Sequence, residues 1–135
     1  MKTALLDTNV LIRHLTADHP EQSPRASAFL RRVEAGQVRV WTTWAVVFEA
    51  VFTLERVYRR SKAEVRDALV PLLELPGLRL PGKRRLRRVL DLYVDLNLPF
   101  ADAYHAVWME ERGISEIISF DRDFDRIPGI VRREP

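Results

Sequence analysis

The chain has 135 residues, 22 Lys+Arg against 19 Asp+Glu for a net charge of +3, and no cysteine. That length suits one domain over residues 1–135, and the hydrophobic fraction of 47% beside 30% charged residues is that of a globular chain rather than a disordered one. Without cysteine there is no disulfide frame, thiolate zinc site or cysteine nucleophile, and no apolar run approaches the ~20 residues of a membrane span.

The first residues, Met1 to Asp7, reach an acid without a cleavable apolar stretch, so no signal peptide is expected and the cytoplasm is the default location. Thr3-Ala4-Leu5-Leu6 reads as a short buried strand ending at Asp7, and Val10, Leu11, His14 and Leu15 then share one side of a helix. Ser23-Pro24 looks like an N-cap followed by proline at the first helical position, and Gly36 stops that helix. Val38–Trp41 is a second strand. Thr43 can cap a helix whose apolar set is Val46, Val47, Ala50, Val51, Leu54 and Val57. Ser61 and Glu64 match a capping box opening a further helix, which Pro76-Gly77 breaks.

Leu78–Leu80 follows as a candidate third strand. Leu86, Val89, Leu90, Tyr93 and Val94 mark an amphipathic helix, and Pro99 opens another that carries Ala103, Ala106 and Val107 and ends at Gly113. Ile114–Ser119 is a strand, Asp121–Pro128 a loop or short helix, and Gly129–Val131 a last edge strand. Short strands alternating with helices predict an α/β fold with a parallel sheet covered on both faces. Ligands in such folds bind beyond the carboxyl ends of the strands.

Three acids fall at that edge and a fourth beside it. Asp7 ends the first strand, Asp121 follows the strand that ends at Ser119, and Asp102 sits in the first turn of the helix opened by Pro99. Glu49 lies on the Thr43 helix beside its apolar face. A parallel sheet would make Asp7, Asp102 and Asp121 converge, with Glu49 leaning in from the side. Clustered carboxylates raise each other's pKa unless a cation joins them, and oxygen-only ligands favour a hard ion such as Mg2+ or Mn2+. Such an ion can activate water for phosphodiester cleavage, so the pattern points to metal-dependent phosphotransfer or a nuclease.

At these residues the sequence resembles the PIN-domain family, in particular the VapC-type ribonuclease toxins of bacterial toxin–antitoxin pairs. The marks are Leu5-Leu6-Asp7-Thr8-Asn9-Val10-Leu11, Glu49 after Thr42-Thr43, Phe100-Ala101-Asp102-Ala103, and Ile118-Ser119-Phe120-Asp121-Arg122-Asp123-Phe124. The resemblance implies a three-layer α/β/α sandwich with a central parallel sheet. It maps the family's acidic quartet onto Asp7, Glu49, Asp102 and Asp121, with Asp7, Asp102 and Asp121 as ligands of Mg2+ or Mn2+. Thr8, Asn9, Ser119 and Asp123 match positions that orient ligands or water around the acids. The partners it implies are an RNA substrate, a small antitoxin held in a hydrophobic groove, and a second copy of the chain in a homodimer, with no membrane.

Each of these residues also has a plainer reading. Asp7 alone could be an N-cap, Asp102 could merely favour the helix dipole, and helical glutamates such as Glu49 are usually solvated. Asp125 is expected to be a loop residue and Phe124 a core plug. Trp41, Trp44 and Trp108 suit core or interface anchors. Lys83-Arg84-Arg85-Leu86-Arg87-Arg88 reads first as a solvated helix face and second as an RNA contact. Two rivals to the nuclease reading are a degenerate PIN domain that binds RNA or protein without cutting, and an aspartyl phosphoacceptor built on Asp7. The first should have lost acids, and all four are present. A haloacid-dehalogenase-like site needs a second acid two residues after Asp7, where Asn9 stands.

Overall fold

The computed structural model describes residues 3–135, so Met1 and Lys2, the head of the segment read for a signal peptide, lie outside the described residues. Two compact units divide the chain, residues 1–83 and 84–135. The first contains β1 (Ala4–Leu5), α1 (Thr8–Thr16), α2 (Gln22–Glu34), β2 (Val40–Trp41), α3 (Trp44–Arg56), α4 (Lys62–Leu73) and β3 (Leu78–Arg79). The second contains α5 (Leu86–Asp95), α6 (Phe100–Glu111), β4 (Glu116–Ile118), a 3-10 helix (Arg122–Arg126) and β5 (Val131–Arg133). The fold is α/β and every strand pair is parallel, as the alternation of elements predicts.

In the first unit the strand order is β1-β2-β3, with Val40 opposite Ala4 on one side and Leu78 on the other. The sequence reads the first strand as buried, but β1 is the edge of this sheet. Ala4 and Leu5 are exposed, Leu5 to 62%, and burial falls on Leu6. A run of apolar letters does not distinguish a central strand from an edge one. Leu11, Val33, Val40, Val47, Val51, Leu69, Leu73 and Leu78 form this unit's core. In the second unit β4 pairs with β5, placing Ile117 opposite Arg132. Its core is Leu86, Val89, Leu90, Tyr93, Leu98 and Ala103, with Phe100 meeting Tyr93 edge to face at 5.7 Å.

The helix boundaries follow local side-chain chemistry. Thr43 accepts the Val46 amide at the start of α3, and Ser61 and Glu64 close a reciprocal capping box at the start of α4. The start of α2 differs from expectation. Glu21 stands at the N-cap, Gln22 begins the helix, and the Ser23 hydroxyl accepts the His19 amide at 3.1 Å instead of capping. Pro24 is tolerated inside the first turn because amides there have no helical acceptor. The tryptophans also depart from a core role. Trp41 and Trp108 are 43% and 36% exposed, each with an arginine, Arg79 or Arg112, over its ring. The basic run is tied down within the chain. Lys83 Nζ donates to the Leu75 and Leu78 carbonyls, Arg85 pairs with Glu111, and Arg88 pairs with Glu110.

Gly77 turns the chain into β3 at a point where nothing larger fits. A Cβ there would lie 2.5 Å from the Val38 carbonyl oxygen and 2.6 Å from that of Val33. The Gly77 carbonyl meanwhile accepts the Val40 amide at 2.8 Å, so the backbone cannot move away without loosening β2. Gly77→Ala should therefore cost about 1–3 kcal/mol, the range for overpacking. An unchanged urea midpoint would contradict this account.

Candidate functional site

The second unit brings three acids together. Pro99 sets the entry to α6, and the Asp102 amide bonds the Pro99 carbonyl at 3.0 Å, so Asp102 falls in the helix's first turn. Its neighbours on that turn, Phe100 and Ala103, are core residues, which draws Asp102 inward to 9% exposure. Asp121 caps the 3-10 helix by accepting the Asp123 amide at 2.9 Å, and its own amide donates to the Ser119 hydroxyl at 2.9 Å. Phe124, buried as expected, pins this segment. One carboxylate oxygen from each of Asp102, Asp121 and Asp123 lies within 4.8 Å of the others. Asp123, expected in a supporting role, thus stands in the cluster itself.

The charges in this cluster oppose one another. Burial pushes the Asp102 carboxyl above the usual carboxylate range, and the charges of Asp121 and Asp123 push it further; His105 pulls it back. Asp102 Oδ2 is buried without a hydrogen-bond partner. A buried oxygen in that state costs free energy unless something binds it. Arg126 supplies one nearby cation. It donates to Asp123 Oδ1 at 3.4 Å and, through its other contacts, to the Leu96 and Asn97 carbonyls in the turn before α6. The donor set of carboxylate oxygens with one orphaned, inward atom fits a hard divalent cation such as Mg2+ or Mn2+.

In the first unit the predicted residues cluster around the end of β1. The Leu6 amide bonds the Trp41 carbonyl at 2.7 Å, and the buried Thr42 hydroxyl donates to the Leu6 carbonyl at 3.2 Å. These bonds fix the chain one residue before Asp7. Asp7 occupies the N-cap position of α1, yet its side chain makes no capping bond and is exposed. The N-cap account therefore does not explain the acid. Thr8, buried at 5% exposure, donates its hydroxyl to Glu49 Oε2 at 2.9 Å and so joins α1 to α3. Glu49 is exposed rather than set into the apolar face, and one carboxylate oxygen is already oriented. Asn9 is exposed beside them.

The PIN domain family model matches residues 4–130. The chain belongs to the PIN-domain family. Its relatives include a VapC ribonuclease of Aquifex aeolicus, 24% identical over 123 residues, covering 91% of this chain and 90% of the relative. Ribonuclease VapC13 of Mycobacterium tuberculosis and a VapC ribonuclease of Mycobacterium bovis are each 28% identical over 130 residues, covering 95% of this chain and 97% of theirs. Among the described residues, no helix of this PIN-domain protein is long and apolar enough to cross a membrane.

Two contacts around the acids carry no signal in the sequence: the Arg126 bond to Asp123, and the two-point ion pair in which Arg132 holds Asp125, a residue that reads as a plain loop position. His14 and His19 are engaged elsewhere: His14 Nδ1 with the Ser27 hydroxyl, and His19 Nδ1 with the Glu21 and Gln22 amides.

The strain at Asp102 has a stability consequence in metal-free protein. Its folded pKa lies above its unfolded value, so between those two values the native state holds a proton that the unfolded chain has lost. Stability therefore falls as pH rises through that window. Asp102→Asn removes the charge that burial and the neighbouring acids oppose, and should stabilise the chelator-treated protein at pH 7. The gain should shrink towards zero below roughly pH 4, near the carboxylate's unfolded pKa. Denaturant titrations at both pH values check the sign; a variant less stable than wild type at pH 7 would refute it.

Proposed function

We propose that this protein is an Mg2+- or Mn2+-dependent endoribonuclease, the toxin of a VapBC-type toxin–antitoxin module, built as one PIN domain over residues 1–135. The observation that carries the reading is the buried Asp102 carboxylate, one oxygen unpartnered, facing two further acids. That arrangement is unfavourable until a cation joins it. Membership of the PIN-domain family, and relatives named as ribonucleases, support RNA as the substrate.

In this reading Asp102 and Asp121 hold the metal, Asp123 adds to the charge that attracts it, and Asp7 keeps the ligand role that the family resemblance gives it. A bound Mg2+ or Mn2+ supplies an acidified water and neutralises charge developing on the scissile phosphate. Thr8 fixes one oxygen of Glu49, leaving the other to orient the attacking water. Ser119 holds the Asp121 amide and so sets the direction of that ligand. Asn9 lies beside Asp7 and can bond water or phosphate oxygen.

The partners follow from the same reading. A groove of about 730 Å³ runs between α1 and α2, with Leu6, Val10 and Phe29 in its wall and Arg13, Arg25 and Arg32 around it. Apolar walls between arginines suit an antitoxin segment that carries both apolar and acidic residues. A homodimer in the cytoplasm completes the proposal, and the exposed Phe52 and Val57 of the α3 region offer apolar surface for it.

The test is cleavage of bulk and transfer RNA by purified, partner-free protein with Mg2+, Mn2+ or EDTA. Cutting should require the metal. Asp7→Asn and Asp121→Asn should each lose at least about a hundredfold in rate, the order found for removing one transition-state electrostatic contact, while remaining folded. Wild-type-like cutting by either variant would sink the site assignment. Folded protein that neither cuts nor takes up Mn2+ would favour the binding-only PIN domain.

A further inference from the structure

Two of the clustered acids, Asp121 and Asp123, are carried by a short segment whose ends are joined by one side chain. Arg132, on β5, has only 13% of its side chain exposed. Its Nε donates to Asp125 Oδ1 at 3.0 Å and its Nη2 to Asp125 Oδ2 at 3.3 Å, a fork on a carboxylate. Its Nη1 donates to the Ser119 carbonyl at 3.2 Å and to Glu134 Oε1 at 3.0 Å. Ser119 stands just before the acid segment and Asp125 just after Phe124. The Ser119 hydroxyl in turn receives the Asp121 amide. The backbone pairing of β4 with β5 fixes the base of Arg132, since Ile117 lies opposite it and the Ser119 amide bonds the Arg133 carbonyl at 3.0 Å.

We infer that the Asp125–Arg132 pair is a positioning clamp: it closes the segment Ser119–Asp125 into the shape that presents Asp121 and Asp123 to Asp102. The inference rests on the metal-site reading above and extends it to two residues outside the acid cluster. A loop held only by its own caps would let two mutually repelling carboxylates swing apart from the buried third. Closing it across its ends with a planar, two-point pair removes that freedom before any cation arrives, and a lysine could not reproduce the fork. Outer contacts of this kind commonly set metal affinity by 10–100-fold.

Electrostatics and positioning predict opposite signs for one substitution, which makes the clamp testable. Arg132→Gln removes a positive charge near the acids. Charge alone would then tighten cation binding, whereas loss of positioning loosens it. In the full-length protein, isothermal titration with Mn2+ should give a Kd raised about tenfold in Arg132→Gln, a comparable loss in Asp125→Asn, and a smaller one in Arg132→Lys. Amide exchange at Asp121 and Asp123, measured without metal, should quicken about tenfold in the same variants, reflecting local opening. A lower melting temperature with unchanged Kd in the folded protein would overturn the inference and leave a merely stabilising pair. Unchanged or tighter Mn2+ binding by Arg132→Gln would overturn it as well. Asp125 is exposed, so Asp125→Asn keeps the question open to experiment if Arg132→Gln does not fold. Failure of wild type to bind Mn2+ would remove the metal reading instead, and the exchange rates alone would then decide whether the clamp exists.

Discussion

A carboxylate buried against other carboxylates is the constraint around which the second unit is organised. Asp102 is drawn inward by the core residues on its own helical turn, and Asp121 and Asp123 are fixed opposite it by hydroxyl and amide contacts. Folding toward the lowest energy of the empty protein would have turned Asp102 outward or given Oδ2 a donor. The chain does neither. It keeps a buried, mutually repelling set of carboxylates at a cost in stability.

The first unit solves a different problem with neutral groups. Asp7 and Glu49 are exposed, so no burial fixes where they point. Hydroxyls supply the direction. Thr42 fixes the carbonyl just before Asp7, and Thr8 fixes one oxygen of Glu49. Both threonines are buried, and a short β-branched side chain with one hydroxyl has few rotamers in which to lose that direction.

Much of this was legible in the sequence because the informative chemistry is local. Thr43 and the Ser61–Glu64 box mark helix starts because the cap bonds its own helix within one turn, and Gly36 and Gly113 mark stops because both adopt positive φ. The acids Asp7, Asp102 and Asp121 could be placed at strand ends and helix starts by the same logic. The failures involve contacts that the local pattern does not encode. Ser23 resembles a cap, but its hydroxyl goes back to His19. Asp125 resembles a turn residue, and only the β4–β5 register reveals that Arg132 is its partner. Glu49 reads only as lying beside its helix's apolar face, whereas its carboxylate is held by Thr8, 41 residues earlier. Leu5 reads as interior because letters do not say which strand is the edge.

The surface placement of the tryptophans reaches beyond packing. Trp41 and Trp108 lie under guanidinium groups at the surface, and the Trp44 indole donates to the Pro81 carbonyl at 2.7 Å. Indole fluorescence in this protein therefore reports arginine stacking and the turn at Pro81 before it reports either core. The optical signature of core unfolding belongs instead to Tyr93, fully buried and set against the ring of Phe100.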